Sequence, residues 1–328
     1  MKWLASSPQG DRLVSGPLLA LCGAYFMVIL DATALNVALP GLQHDLKTGI
    51  SALQWVIDAY TLVFAALLLT GGSLGDRLGD RRVFLLGMAM FTIASAACAL
   101  APTTAMLIAF RLVQGLGAAL CVPTSLALLR AVYANPAARA KAFGIWGAIA
   151  GIAAASGPVL GGVLTATLSW RAVFCVNVPI GLVGLVLAVS TLPKPPLRAK
   201  AIPPDLPAQL LSVLSLASLT LALIEAGHLG WSSGLVLFAF AIFVLALVAF
   251  IAIELRTETA MLPLGLFKNA TFSAGNTVGL LINLGFYGQL FVINLYFQQA
   301  RGYSALLAGL AVLPQAGLVS VGSFLSGR

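Results

Sequence analysis

Long apolar runs separated by short polar gaps dominate this chain. Runs of about 20 apolar residues are long enough to cross a bilayer as a helix. They occur near 16–40, 52–71, 83–100, 104–129, 142–167, 172–192, 206–226, 234–253, 272–297 and 305–325. These ten runs predict an all-α integral membrane protein. The first six are joined by gaps as tight as "APTT" and "LSWR". A Pro-rich, basic stretch, "PKPPLRAKAIPPD" (193–205), then reads as a linker. A helix pair follows, then "ELRTETAMLPLGLFKN" (254–269), then a last pair. The expected organisation is therefore a six-helix unit at 1–192, a linker with two extra spans at 193–269, and two further helices at 270–328.

Composition narrows the class. Only 9% of residues are charged and 60% are hydrophobic, with a mean hydropathy of +1.02. A soluble domain carries about 25% charged residues, so the expected partner of this surface is a lipid bilayer. The net charge of +8 does not point to nucleic acid, because the basic residues sit in the gaps between apolar runs. Placing the N-terminus in the cytoplasm puts 14 of the 18 Lys and Arg residues inside and three (Lys47, Arg171, Arg301) outside. That asymmetry is the positive-inside signal. The expected setting is a plasma or inner cell membrane, crossed many times, with the first span retained rather than cleaved. The four cysteines lie in apolar runs without C-x-x-C spacing or histidine companions, and read as small residues at helix contacts. No metal site or cofactor is expected. Nothing resembles a phosphate loop, a nucleophile elbow or a metal-ligand pair, so no enzyme activity is expected either.

Four ionisable residues fall inside the spans: Asp31, Asp58, Arg111 and, near an outer end, Glu225. At the helical rise, Asp31 lies roughly 13 Å from the outer end of the first span, Asp58 roughly 9 Å deep and Arg111 roughly 10 Å deep. Two carboxylates and one guanidinium thus share a level in the outer half of the membrane. Ion pairing would offset their desolvation, and intramembrane charges commonly line proton or substrate paths.

Three stretches add local chemistry. In "GGSLGDRLGDRRVFLLG" (71–87), Gly72, Gly75 and Gly79 suit a tight turn and close helix approach. Asp76 can accept from free amides at a neighbouring helix start; Arg77, Arg81 and Arg82 can reach carboxylates or helix C-termini. In "LIAFRLVQGLGAALCVPTSLALL" (107–129), Arg111 is followed by Gln114, Gly115 and Gly117. Arg111 and Gly115 share a helix face, so a neighbouring helix can pack beside the guanidinium. "FGIWGAIAGIAAASGPVLGGVL" (143–164) pairs Gly147 with Gly151 and Gly157 with Gly161, and Pro158 suits a kink or hinge.

Together these stretches resemble the major facilitator superfamily, and within it the fourteen-spanner branch of drug:proton antiporters. "LDATALNVALP" resembles that branch's first-helix motif at Asp31, Thr33, Asn36 and Pro40. "GSLGDRLGDRR" resembles the superfamily's loop motif at Gly72, Asp76, Arg77, Gly79 and Arg81, with Asp80 where a basic residue is common. "RLVQGLGAA" resembles the fourth-helix motif, and the fifth helix resembles the antiporter motif at Gly144, Gly157, Pro158, Gly161 and Gly162. "WRAVFCVNVPIG" (170–181) resembles a further signature at the start of the sixth helix.

The resemblance implies a major-facilitator-type bundle that exports small amphipathic or cationic compounds by alternating access, with the proton gradient as energy source. It implies proton-coupling and cavity roles for Asp31, Asp58, Arg111, Asn36 and Gln114. A cytoplasmic gate would be formed by Gly72, Asp76, Arg77, Gly79 and Arg81. An export-specific helix kink would fall at Gly157, Pro158, Gly161 and Gly162. One departure stands out. The branch has fourteen spans and this chain shows ten, so the 270–328 segment reads as the first two helices of an incomplete C-terminal half. The alternatives are a non-transporting membrane protein that assembles with a partner chain, and an uptake permease of the same superfamily.

Overall fold

The computed structural model describes residues 15–193, 205–257, 262 and 264–303, with isolated positions between 307 and 322. Most of the tenth expected span (305–325) and most of the 193–205 linker lie outside the described residues. Every regular element among the described residues is helical. The α-helices in order are α1 (Gly16–Leu46), α2 (Ile50–Leu78), α3 (Asp80–Ala99), α4 (Thr104–Val132) and α5 (Pro136–Thr167). Then come α6 (Ala172–Cys175), α7 (Asn177–Thr191), α8 (Leu206–Leu229), α9 (Gly234–Glu254) and α10 (Ala270–Leu295). Eight spans among them are long and apolar enough to cross a membrane, with α6 and α7 acting together as Ala172–Thr191.

Local chemistry explains the boundaries. Thr103 accepts from the Met106 amide at the start of α4, and Asn135 from Ala137 and Ala138 at the start of α5. Asp205 does the same for Ala208 in α8. Each satisfies amides that a helix start leaves free. Pro136 sits in the first turn of α5, where its missing N–H costs nothing. The break between α6 and α7 precedes Pro179, which cannot donate back to the carbonyl four residues earlier. The first connection is shorter than the apolar run suggests. α1 continues past Pro40 because Leu42 and Leu46 extend its packed face, leaving only Lys47–Gly49 between α1 and α2.

Close backbone approach holds the first six spans together. α2 and α3 both pack on α4, while α1 packs on α5 and α7. A Cβ on Gly115 would lie 2.5 Å from the Tyr60 carbonyl oxygen of α2, and one on Gly117 2.7 Å from the Phe91 nitrogen of α3. A Cβ on Gly161 would lie 2.5 Å from the Ala34 carbonyl oxygen of α1. Small residues at such crossings let helices meet without a large side chain between them. The hairpin of α8 and α9 adds to this bundle through α2, where Gln209 Nε2 donates to Ser73 Oγ at 3.4 Å. Its outer face shows Phe238, Leu245 and Val248 to the surroundings, and α7 likewise shows Val183 and Val186. These are surfaces that lipid solvates.

The buried interior divides into two apolar clusters. One gathers Leu18 to Val28 of α1 with Phe84, Phe91, Ala118 and Ala188; the other gathers Ala34 to Leu42 of α1 with Cys98, Leu107, Val173 and Phe174. Each of α1 to α5 therefore passes from one cluster to the other. The residues at the crossover are the polar ones.

Candidate functional site

Asp31 lies on α1 between Val28 and Ala34, where the two apolar clusters meet. Arg111 lies between Leu107 and Ala118 on α4, Ser95 between Phe91 and Cys98 on α3, and Asn177 beyond Phe174 on α7. Helical periodicity points all four into the same layer. Asp31 and Arg111 are each 1% exposed, and Ser95, Gln114 and Asn177 are 0% exposed. Burying a charge this completely is tolerable only when it is paired and hydrogen-bonded.

The bonding meets that condition. Arg111 Nη1 donates to Asp31 Oδ2 in a buried ion pair. Gln114 Nε2 donates to Asp31 Oδ1 at 2.8 Å, and Asn177 Nδ2 donates to the same oxygen at 2.9 Å. Every partner of the carboxyl group among the described residues is a donor, the setting of an ionised carboxylate. Arg111 also donates from Nη1 to Gln114 Oε1 at 2.8 Å and from Nε to the Val56 carbonyl at 3.0 Å. Its guanidinium carbon stands 4.3 Å from the centre of the Tyr60 ring, a cation–π contact away from water. Tyr60 is itself fixed by donating to the Val28 carbonyl at 3.0 Å. Gln114 Nε2 further donates to Ser95 Oγ at 2.8 Å, and Ser95 Oγ donates to the Phe91 carbonyl at 2.8 Å. The layer joins α1, α2, α3, α4 and α7 through one carboxylate.

The structure thus brings together Asp31, Arg111 and Gln114. It leaves out two residues expected with them. Asn36 is exposed and donates to the Ala32 and Thr33 carbonyls of its own helix. It stands five residues beyond Asp31, about 140° further round α1 at roughly 100° per residue, so the two cannot share a face. Asp58 is half-buried and lies midway between Val56 and Tyr60, the residues that α2 turns toward Arg111. Being two residues from each, it faces the other way. Asn177, Ser95, Tyr60 and the Val56 carbonyl join the layer without having been singled out from sequence.

The loop between α2 and α3 is compressed to one residue. Gly79 adopts φ +91°, a left-handed conformation suited to glycine, and donates its amide to the Gly75 carbonyl at 2.9 Å. A Cβ on Gly75 would fall 2.6 Å from Asp80 Oδ1 and 2.8 Å from Thr124 Cγ2. Gly72 does not make the close approach expected of it, since its added Cβ would meet Pro123 Cβ at an ordinary 3.7 Å. Its neighbour Gly71 does, against the Ala119 backbone. Arg81 Nη2 donates to the Val189 carbonyl at 2.8 Å, in the last turn of α7. A cation there complements the helix dipole. Asp76 is exposed and Arg77 half-buried.

In α5, Gly157 and Gly161 press on Thr33 and Ala34 of α1. Pro158 does not divide the helix, which runs as one element from Pro136 to Thr167. Gly162 is half-buried beside this seam. Of the cysteines, Cys22, Cys98 and Cys121 are buried as expected of helix contacts, whereas Cys175 is exposed. At the opposite end of the bundle from Gly79, Asp45 accepts from Trp170 Nε1 at 3.0 Å and pairs with Arg171 Nη1 at 3.5 Å. Arg171 Nη2 also donates to the Ala101 carbonyl at 3.3 Å. This cluster ties α1, the α3–α4 turn and the α5–α6 turn together.

A helical bundle of this kind, with its charge pair sealed between α1 and α4, defines a multi-pass membrane protein. The chain belongs to the Major Facilitator Superfamily, whose family model matches residues 21–328. It is 40% identical over 311 residues to the methylenomycin A resistance protein of Bacillus subtilis (strain 168), covering 95% of this chain and 66% of that protein. It is 40% identical over 313 residues to the methylenomycin A resistance protein of Streptomyces coelicolor (strain ATCC BAA-471 / A3(2) / M145), covering 94% and 66%. The tetracenomycin C resistance and export protein of Streptomyces glaucescens is 37% identical over 312 residues, covering 94% of this chain and 57% of that protein. The chain therefore spans about two thirds or less of the length of these relatives.

Proposed function

We propose that the protein exports small amphipathic or cationic compounds across the cell membrane in exchange for protons, by alternating access. The observation that carries this reading is the buried Asp31–Arg111 pair at the crossover of the two apolar clusters. A carboxylate that must be paired when charged can lose that requirement on taking up a proton. Protonation removes the ion pair and so changes which conformation is favoured. The names of the relatives, which are resistance and export proteins, support export over uptake.

In this reading Asp31 carries the proton, Arg111 and Gln114 hold it in register, and Asn36 and Asp58 belong to the surface that meets substrate. The Gly79 turn with Asp76, Arg77 and Arg81 gates the cytoplasmic side. The Gly157–Gly162 segment sets the α1–α5 contact that moves during the cycle. Both ends of the first six spans lie in the cytoplasm, as the distribution of Lys and Arg favours.

Inverted membrane vesicles test this. A pH gradient imposed across the vesicle wall should drive accumulation of a fluorescent lipophilic cation by the wild-type protein. Asp31→Asn should lower that accumulation on the order of tenfold or more while the protein remains in the membrane. Accumulation undiminished in Asp31→Asn would remove Asp31 from the coupling step.

A further inference from the structure

Asp31 Oδ1 accepts from two amides, Gln114 Nε2 and Asn177 Nδ2. If this oxygen takes up a proton it becomes a donor, and two donors then point at it. One amide must turn its oxygen toward the new O–H, because an amide offers a donor on one side and an acceptor on the other.

The two amides are not equally free to turn. Gln114 Oε1 already accepts from Arg111 Nη1 at 2.8 Å and from Cys98 Sγ at 3.7 Å, and Gln114 Nε2 is also held by Ser95 Oγ at 2.8 Å. Turning Gln114 would break all three of these bonds. Asn177 Oδ1 is buried and accepts no hydrogen bond among the described residues. Turning Asn177 gives up a single bond, Nδ2 to Asp31, and brings an idle acceptor to the carboxyl group. An unsatisfied buried acceptor is costly; the ionised site carries that cost at Asn177 Oδ1, and the turn gives this oxygen a donor.

We infer that Asn177 is a positioning residue that reads the protonation of Asp31, donating to the carboxylate and, after a half-turn of its amide, accepting from the carboxylic acid. This inference rests on the proton-coupled reading above. The balance is simple. A proton from water binds Asp31 Oδ1, the carboxylate becomes a neutral acid, and the new O–H donates to Asn177 Oδ1. Arg111 keeps its charge and its bonds to Gln114 Oε1 and the Val56 carbonyl. The other titratable groups around the layer are Tyr60 from α2, against the guanidinium, and Cys98 from α3, on Gln114. Asn177 is the contribution of α7. Because α7 also takes Arg81 at its other end, through the Val189 carbonyl, a turn of Asn177 couples the charge layer to the helix that anchors the α2–α3 gate.

The test is infrared difference spectroscopy of the purified protein in lipid, stepping from high to low pH. The carboxylic acid C=O band that is absent from Asp31→Asn reports Asp31. In the wild type that band should lie at the lower wavenumber of a hydrogen-bonded acid, with a matching change in an asparagine amide band. In Asn177→Leu the acid band should shift to higher wavenumber and the amide change should vanish. Asn177→Ala repeats the comparison with less demand on packing, and Asn177→Ser, whose hydroxyl can both donate and accept, should restore part of the shift. An acid band unmoved in the Leu and Ala variants would overturn the role of Asn177 while leaving proton coupling intact. No band that depends on Asp31 at any pH would overturn the coupling reading and this inference with it.

Discussion

Arg111→Ala is expected to produce the largest loss of stability of any single truncation in this chain. It removes the ion-pair partner of Asp31 and also the bonds to Gln114 and the Val56 carbonyl, leaving a buried carboxylate without its counter-charge. Breaking a buried pair from one side costs about 3–5 kcal/mol, mostly because the remaining charge stays buried. Unfolding of the purified protein in mixed detergent, followed by far-ultraviolet circular dichroism, measures this directly. A loss below about 1 kcal/mol, the level of an exposed ion pair, would show that the pair is solvated. Arg111→Lys should recover only part of the loss. A lysine offers a point charge and no planar fork to bridge Asp31, Gln114 and the Val56 carbonyl at once.

Gly161→Val has the second largest expected effect, by a different route. A Cβ at this position falls 2.5 Å from the Ala34 carbonyl oxygen and 3.1 Å from both Ala34 C and Ala34 Cα. These are backbone atoms of α1, so relief requires α1 and α5 to separate. Overpacking of a close contact costs about 1–3 kcal/mol, and separation would also disturb Asp31, three residues before Ala34 on the same helix. The expected result is reduced stability and, under the proposed function, reduced export. Gly23→Ala is the control on α1, since nothing lies within 4 Å of its added Cβ. That change should leave stability within about 1 kcal/mol of wild type, tilted toward stabilisation by helix propensity. Equal losses in the two variants would show that the α1–α5 crossing is looser than this geometry.

Much of this was legible in the sequence. Length and apolarity define the spans because a bilayer gives backbone polar groups no partner outside a helix. A constant rise per residue then places Asp31 and Arg111 at one depth, and the structure joins them. Depth alone does not give direction around the helix, so it groups Asp58 with the pair, while Asn36 enters only through the motif resemblance. Spacing could have separated them: Asn36 is five residues from Asp31, and Asp58 sits between the two residues of α2 that face the guanidinium. Asn177 carries a readable signal in the sequence. It stands five residues into the span that begins at Ala172, roughly 8 Å deep by helical rise, close to the level of Arg111. An amide at that depth needs a partner. Ser95 carried no such signal, because a serine inside a helix commonly bonds its own backbone, as its bond to the Phe91 carbonyl shows. The continuity of α5 through Pro158 was also beyond sequence reading. A proline removes one ladder bond, and packing on α1 decides whether the helix breaks there.

Asp31 and Arg111 form one buried ionic unit rather than two independent polar residues. A double-mutant cycle on unfolding stability, comparing wild type, Asp31→Asn, Arg111→Ala and the double variant, tests it most directly. The expected result is strong non-additivity, with the double variant more stable than Arg111→Ala alone and a coupling of about 1–3 kcal/mol. Losses that simply add would contradict the pair, and with it the reading of this layer as the site where a proton acts.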